Sequence, residues 1–477
     1  MQMHTSKTVT DLNSVSYIST RGQAPRLSFE DVVLTGLAED GGLYVPEHVP
    51  HLTAHDIQKI SQMSYVDVAK YVIQIFIGDV VSKDELSDLV DKAYSSFHHD
   101  EICPLVELEN NIWVMEQFHG PTLAFKDFAL QFLGQVFDFI LEKQNKKITI
   151  VGATSGDTGS AAIEGCRGRK SMDIFILHPY GRVSDVQRRQ MTTIHDENVH
   201  NIAIEGSFDD CQDLVKAMFN DHDFRHQIHM SAVNSINWAR IMAQIVYYVY
   251  AASRFPDGVA FSVPTGNFGN VYAGYLAKKM GLPIDHLIVA TNKNDILYRF
   301  FQIGEMMIEG VDPSLSPSMD IQVSSNFERL LFDVLDRNSD ATRQTMLDFR
   351  ALGRFSLDQS LLQVLKKTFL SYRCDDHQTA SLIKRYYEGY GYMADPHTAT
   401  GLNAAECFRA DHVKYAGDIV TLATAHPAKF PDALDQAISV RPELPEWVPH
   451  VNVAEERYAR LPNELDVVKK YILKHID

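Results

Sequence analysis

The chain has 477 residues, 45% hydrophobic and 22% charged, with 44 basic against 62 acidic side chains and a formal charge of −18. That length exceeds what one hydrophobic core supports, and it predicts a globular protein of two or three domains. The acidic balance disfavours nucleic acid and anionic membrane as partners, so any anion site has to be built from particular residues rather than a basic surface.

The first twenty residues are polar and hold no apolar h-region, so no secretory signal is expected. Residues 1–100 mix short strands with helical periodicity around the turn Glu39-Asp-Gly-Gly-Leu-Tyr-Val-Pro46, and they read as an N-terminal domain. From about residue 100 to 300 the pattern becomes strand, glycine-containing loop and helix, repeated. Lys146 to Val151 leads into Gly152-Ala-Thr-Ser-Gly-Asp-Thr-Gly159 and a helix, and Met172 to Leu177 and Val199 to Ile204 are further apolar runs. Ile241 to Ala252 is the most apolar stretch; at about twelve residues it reads as a buried helix rather than a membrane span. Gly258 to Val263 opens onto Pro264-Thr-Gly-Asn-Phe-Gly-Asn270, and Ile284 to Ala290 is another strand. This alternation predicts an α/β protein with open sheets and ligands at the carboxyl ends of strands.

Residues from about 295 to 392 are mostly helical in pattern, as in Asn326 to Arg337 and Gln378 to Gly389. A strand returns at Asp418 to Ala423, opening onto Thr424-Ala-His-Pro-Ala-Lys-Phe430, and an amphipathic helix, Asn463 to Ile476, ends the chain. The predicted division is an N-terminal domain, 1–100; an α/β core from 101–130, 234–300 and 393–435; an α/β subdomain, 131–233; a helical insertion, 301–392; and a C-terminal segment, 436–477. The five cysteines (Cys103, Cys166, Cys211, Cys374, Cys407) are odd in number and lack CxxC spacing, so a reducing, cytoplasmic setting is expected.

Two glycine-bearing loops follow strands and open helices, where backbone N–H groups and a helix dipole can hold an anion. Gly266 to Asn270 is one: Gly266, Asn267, Phe268, Gly269 and Asn270 form either a phosphate cradle or an ordinary βα turn. Neither loop continues as a Walker A motif, and no GxGxxG is present. In the other loop, Ser155-Gly-Asp-Thr-Gly159, Asp157 or Thr158 either caps the following helix or faces a ligand. Lys126 sits between Phe125 and Phe128 before an apolar-periodic helix, and it is open to two readings. It snorkels to solvent, or burial keeps its amine neutral, as imine formation with an aldehyde requires. His222, His226 and His229 fall at i, i+4 and i+7, but without an HExxH arrangement a polar face is preferred to a metal site, and no metal is expected. Arg240, at the start of the very apolar stretch, either pairs with a carboxylate or meets an anionic ligand.

Taken in order, these motifs resemble the threonine synthase family, in its longer type, within the fold-type II pyridoxal-phosphate (PLP) enzymes. The resemblance runs over nearly the whole chain. It includes Tyr17-Ile-Ser-Thr-Arg-Gly22, Glu39 to Pro46, Gly120-Pro-Thr-Leu-Ala-Phe-Lys-Asp127, Gly152 to Gly159, Gly181-Arg-Val-Ser184 and Gln190-Met-Thr-Thr193. It continues through Asn234-Ser-Ile-Asn-Trp-Ala-Arg240, Gly266 to Asn270, Asn292-Lys-Asn-Asp-Ile-Leu297 and Thr424 to Phe430.

The resemblance implies PLP as cofactor, carried by Lys126 as a Schiff base, with its phosphate on Gly266 to Asn270 and its pyridine nitrogen on Thr424. It implies that Ser155 and Thr158 grip the substrate carboxylate beside Asp157, which stands where many fold-type II enzymes have Asn and approaches the phenolic oxygen. Ser235, Asn237 and Arg240 become candidates for a substrate phosphate, with Thr20 and Arg21 as helpers. The implied enzyme is a carbon–oxygen lyase that turns O-phospho-L-homoserine and water into L-threonine and phosphate by γ-elimination and β-hydration. The resemblance also implies a monomer whose subdomain 131–233 closes over the cofactor. The alternatives are a phospho-lyase on the same scaffold that yields 2-oxobutyrate, and a non-catalytic PLP-fold protein.

Overall fold

The structure is a computed structural model that describes residues 15–448 and 450–476. Two short strands, β1 (Tyr17–Ser19) and β2 (Tyr44–Pro46), pair antiparallel at the N-terminal end. The N-terminal helices start where Ser28, Thr53, Ser64 and Ser82 each accept a hydrogen bond from the third helical N–H, as capping chemistry predicts.

Next come β3 (Leu105–Glu109), β4 (Ile112–Glu116), β5 (Ile148–Ala153), β6 (Met172–Pro179), β7 (Val199–Glu205), β8 (Met230–Ser231), β9 (Val259–Pro264) and β10 (Ile284–Thr291). They are followed by β11 (Glu305–Met307), β12 (Arg354–Ser356), β13 (Phe369–Arg373), β14 (Asp418–Ala423) and β15 (Ala459–Pro462). Two sheets with helices between their strands form the α/β body. The larger has the order β13-β10-β9-β14-β4-β3, parallel except for the β3–β4 pair. The smaller, β15-β7-β6-β5-β8, is parallel throughout.

The helix Trp238–Ala252 is the pillar of the body, and all fifteen of its residues are buried. A helix apolar on every side has to be surrounded. It packs against the helices Tyr65–Ile77, Lys126–Gln144 and Gly269–Lys279. One hydrophobic cluster accordingly runs from Tyr17 through Val68, Phe128 and Trp238 to Leu422, joining the N-terminal elements to the central ones.

Three local readings change. The stretch 301–392 is not wholly helical: β11 and β12 pair antiparallel, and β13 forms the edge of the larger sheet, with Phe369 opposite Leu287. Beyond β14, β15 adds to β7, and the helix Leu465–His475 buries Val468 and Ile472 against Phe175 and Ile202, so the C-terminal segment completes the smaller sheet. The helix His222–Gln227 stops before His229, which takes a left-handed φ of 48°, so the three imidazoles do not share one helix face.

Helices Lys126–Gln144 and Asp157–Cys166 cross at two glycines. A Cβ on Gly134 would lie 2.0 Å from the Gly165 carbonyl oxygen, and one on Gly165 would lie 2.5 Å from that of Leu130. Backbone meets backbone there, and neither can yield without separating the helices. Gly134→Ala should therefore lower stability by about 3 kcal/mol or more, read as a fall in Tm. An unchanged Tm would show that the helices can part without loss.

Candidate active site

The carboxyl ends of β9 and β14 and the first turns of five helices line a cavity. Lys126 opens the helix Lys126–Gln144 and is 8% exposed. Its position is set from two sides. Phe125 N–H donates to Thr424 O at 2.9 Å and His426 N–H to Leu123 O at 3.0 Å, so the turn before Lys126 is laced to the segment leaving β14. Asp127 secures the turn from below: the N–H and hydroxyl of Thr122 donate to its carboxylate at 2.9 and 2.7 Å. Burial pushes the Asp127 carboxyl up to about 6 against those bonds.

Lys126 Nζ lies 5.0 Å from the centroid of the Phe125 ring and 3.1 Å from Asp157 Oδ2. The amine is turned inward and does not snorkel. Burial draws its ammonium below the ordinary lysine value; Asp157 opposes that shift, while Lys429 and Arg240 add to it.

Asp157 heads the helix Asp157–Cys166 but does not cap it. Thr154 takes that role, its Oγ1 accepting from the N–H groups of Gly156 and Gly159, each at 2.9 Å. Gly156 between them has φ 144° and ψ −81°, a conformation closed to side-chain-bearing residues. The Asp157 carboxylate is left to receive Lys126 and Ser318 on one oxygen and Lys429 and Gln187 on the other, at 2.8 to 3.2 Å. Burial works against its charge, but Lys126 and Lys429 outweigh burial and hold the carboxyl well below the usual range.

The opposite wall is the loop Gly266 to Asn270. Phe268 takes a left-handed φ of 63° at the head of the helix Gly269–Lys279, and its ring is fixed among Phe301, Phe327 and Phe369. That packing holds a conformation that otherwise costs roughly 1–2 kcal/mol. The hydroxyls of Tyr247 and Tyr248 donate to Asn270 Oδ1 at 2.6 and 3.0 Å, while Asn270 Nδ2, buried at the cavity, has no partner. Arg240 is 3% exposed; its Nη1 donates to Val233 O, and its Nε is unpartnered. Burial brings its guanidinium down to about 10, and no carboxylate among the described residues pairs with it.

Of the remaining residues expected from sequence, Thr158, Ser235 and Thr424 line the cavity. Ser155 and Asn237 do not; the Asn237 side chain caps the helix Trp238–Ala252 through Ala239 N–H and donates to Val33 O. Thr20 and Arg21 are also absent from the walls. Glu328 takes both: the Thr20 hydroxyl donates at 2.7 Å and the Arg21 guanidinium binds two-pronged at 3.0 and 2.9 Å. An arginine so paired has little charge to offer an anion, and this cluster ties the N-terminal strands to the helix Phe327–Val334.

Gln187, Gln244, Ser318, His397 and Lys429 were not expected. Lys429 lies inside a motif already singled out, and Gln187 falls between two others; His397, in Asp395-Pro-His397, carried no spacing signal.

These walls suit pyridoxal phosphate. A buried amine is the kind of group that forms an imine with an aldehyde, and a left-handed turn at a helix start is the kind of backbone that can hold a phosphate. A Cβ on Gly266 would sit 2.9 Å from Ser318 O, so the cradle admits no side chain. The unpartnered donors on Asn270 and Arg240 call for acceptors that the described residues do not supply.

Three family models match in sequence: threonine synthase N terminus over residues 16–94, pyridoxal-phosphate dependent enzyme over 101–352, and threonine synthase C-terminal over 398–472. A threonine synthase of Pseudomonas aeruginosa is 52% identical over 464 residues, 96% of this chain and 98% of that one. A PLP-bound threonine synthase from Brucella melitensis superposes with a TM-score of 0.93 at 49% identity, covering 97% of this chain and 99% of that one. The yeast threonine synthase superposes at 0.91 with 40% identity, covering 98% and 99%. The chain belongs to the threonine synthase family of pyridoxal-phosphate-dependent enzymes.

Proposed function

We propose that the cavity converts O-phospho-L-homoserine and water into L-threonine and phosphate, with Lys126 as the group that moves protons. The observation that carries this reading is one cavity that holds both a buried amine and a buried guanidinium, the latter paired with no carboxylate among the described residues. The amine suits an aldehyde cofactor, and the guanidinium suits the phosphate that the substrate carries and releases.

Bound pyridoxal phosphate supplies an electron sink for negative charge at the substrate's α and β carbons. Gly266 to Asn270 and the start of the helix Gly269–Lys279 would hold its phosphate, with Asn270 Nδ2 as a further donor, and Thr424 would offer the pyridine nitrogen a neutral hydroxyl. The Lys126 amine is placed to take the proton from Cα and then one from Cβ as phosphate leaves Cγ, and to deliver protons to Cγ and back to Cα on either side of the addition of water at Cβ. Arg240 and Ser235 hold the substrate phosphate as it leaves Cγ. Thr158 receives the substrate carboxylate beside Asp157, whose charge keeps Lys126 Nζ aimed inward.

Water is excluded until hydration at Cβ, and closure of 131–233 serves that exclusion. All five cysteines are free, which suits a reducing, cytoplasmic setting, and the enzyme is taken to work there as a monomer.

The rival is a phospho-lyase on the same walls. The test is product analysis from phosphohomoserine: threonine should exceed 2-oxobutyrate by at least about tenfold, a preference of about 1.4 kcal/mol between the two fates. A dominant oxoacid would reassign the protein as a lyase without synthase output.

A further inference from the structure

Two lysines share one carboxylate beside the cavity. Lys126 Nζ is 3.1 Å from Asp157 Oδ2, and Lys429 Nζ is 2.9 Å from Oδ1. Lys429 is fully buried in the turn Pro427–Lys429, and its ammonium also donates to Thr122 O at 2.6 Å. It is not among the residues that line the cavity. A fully buried ammonium is expensive to maintain, and this one touches no ligand position.

We propose that Lys429 is a positioning residue that supplies the standing counter-charge of Asp157, leaving Lys126 free to release its proton. An isolated buried pair of lysine and aspartate pins both partners in their charged forms, because discharging either strands the other. An amine pinned as ammonium can neither attack a carbonyl nor accept a proton. With Lys429 on the second oxygen, the Asp157 charge is matched whether or not Lys126 is protonated, and repulsion between the ammoniums opposes protonation of Lys126 further.

The charged and titratable groups around Lys126 are consistent with this balance. Asp157 comes from the helix Asp157–Cys166, Lys429 from its turn, and Arg240 from the helix Trp238–Ala252. His397, on the helix Pro396–Asp411, acts on Asp157 and accepts from Ser318 N–H, whose hydroxyl bonds the same carboxylate. Asp127, next in the chain, is turned to Thr122 and Gln131. Arg240 is reserved for a substrate anion, so its charge is offset once that anion binds. Lys429 faces Asp157 and the Thr122 carbonyl rather than the cavity, so no bound anion stands against it.

The proposal rests on the reading that Lys126 bears the cofactor. Borohydride reduction and peptide mapping test that reading separately, by the lysine that is labelled. The proposal itself is tested by titrating the visible band of the holoenzyme against pH, which reports protonation at Lys126 Nζ. Lys429→Gln should raise the midpoint by about one unit or more, a tenfold or greater rise in proton affinity, while Lys429→Arg should stay within about 0.3 unit. In the Gln variant kcat should fall further than KM rises, since no substrate contact is lost.

A folded, cofactor-loaded Lys429→Gln with an unmoved midpoint overturns the proposal. Lys429→Met serves if the Gln variant does not fold. If both fail to fold while Lys429→Arg folds, Lys429 is a structural residue and the positioning role falls.

Discussion

Lys126→Ala should lose the cofactor's visible band and lower kcat by at least about 10³-fold, the scale expected when the group transferring protons is removed. The protein should still fold. Alanine is well placed in the first turn of a helix, and Asp157 keeps Lys429, Gln187 and Ser318 as partners when Lys126 is gone. Far-ultraviolet circular dichroism should therefore match the parent while absorbance and turnover vanish. A borohydride-stable adduct at another lysine in this variant would overturn the assignment of Lys126, as would turnover near the parental rate.

Removal of Arg240 should act on the substrate and spare the cofactor. Arg240→Leu should raise KM for phosphohomoserine by about 100-fold, equivalent to about 2.7 kcal/mol, the range for hydrogen bonds to a charged group. The visible band should keep its wavelength. Stability without substrate should hold or improve, because the guanidinium is buried without a carboxylate and leucine carries no such penalty. An unchanged KM would move the substrate phosphate to another part of the cavity. A lost visible band would instead make Arg240 part of the cofactor's own anion site.

Much of the fold is legible in the sequence because its strands are buried on both faces. Asp418 to Ala423 is read with the same limits that β14 has, and the expected strands before Gly152 and Pro264 differ from β5 and β9 only at their ends. β13 escaped because five residues of mixed burial between helices carry no strong period.

In the cavity, Lys126 and the loop Gly266 to Asn270 were accessible because each lies within one short motif at a strand-to-helix turn. Thr20 and Arg21 show the limit of that approach. Their motif is as distinctive as the others, but its partner is Glu328, some three hundred residues away, and no local pattern announces a buried ion pair. Lys429 shows the same limit in reverse. It stood inside a motif, and only the distance to Asp157 gives it work.

The lacing of Phe125 to Thr424 also sets an order in time. Its two stretches of backbone are separated by roughly 300 residues, so the Lys126 amine emerges from the ribosome long before the segment that fixes it in place. At roughly 5–20 residues per second, the growing chain spends on the order of 15–60 s with Lys126 synthesised and its site unfinished. On the proposed role of Lys126, capture of the cofactor would wait for the end of synthesis, and a chain truncated before residue 424 should emerge as a protein unable to take it up.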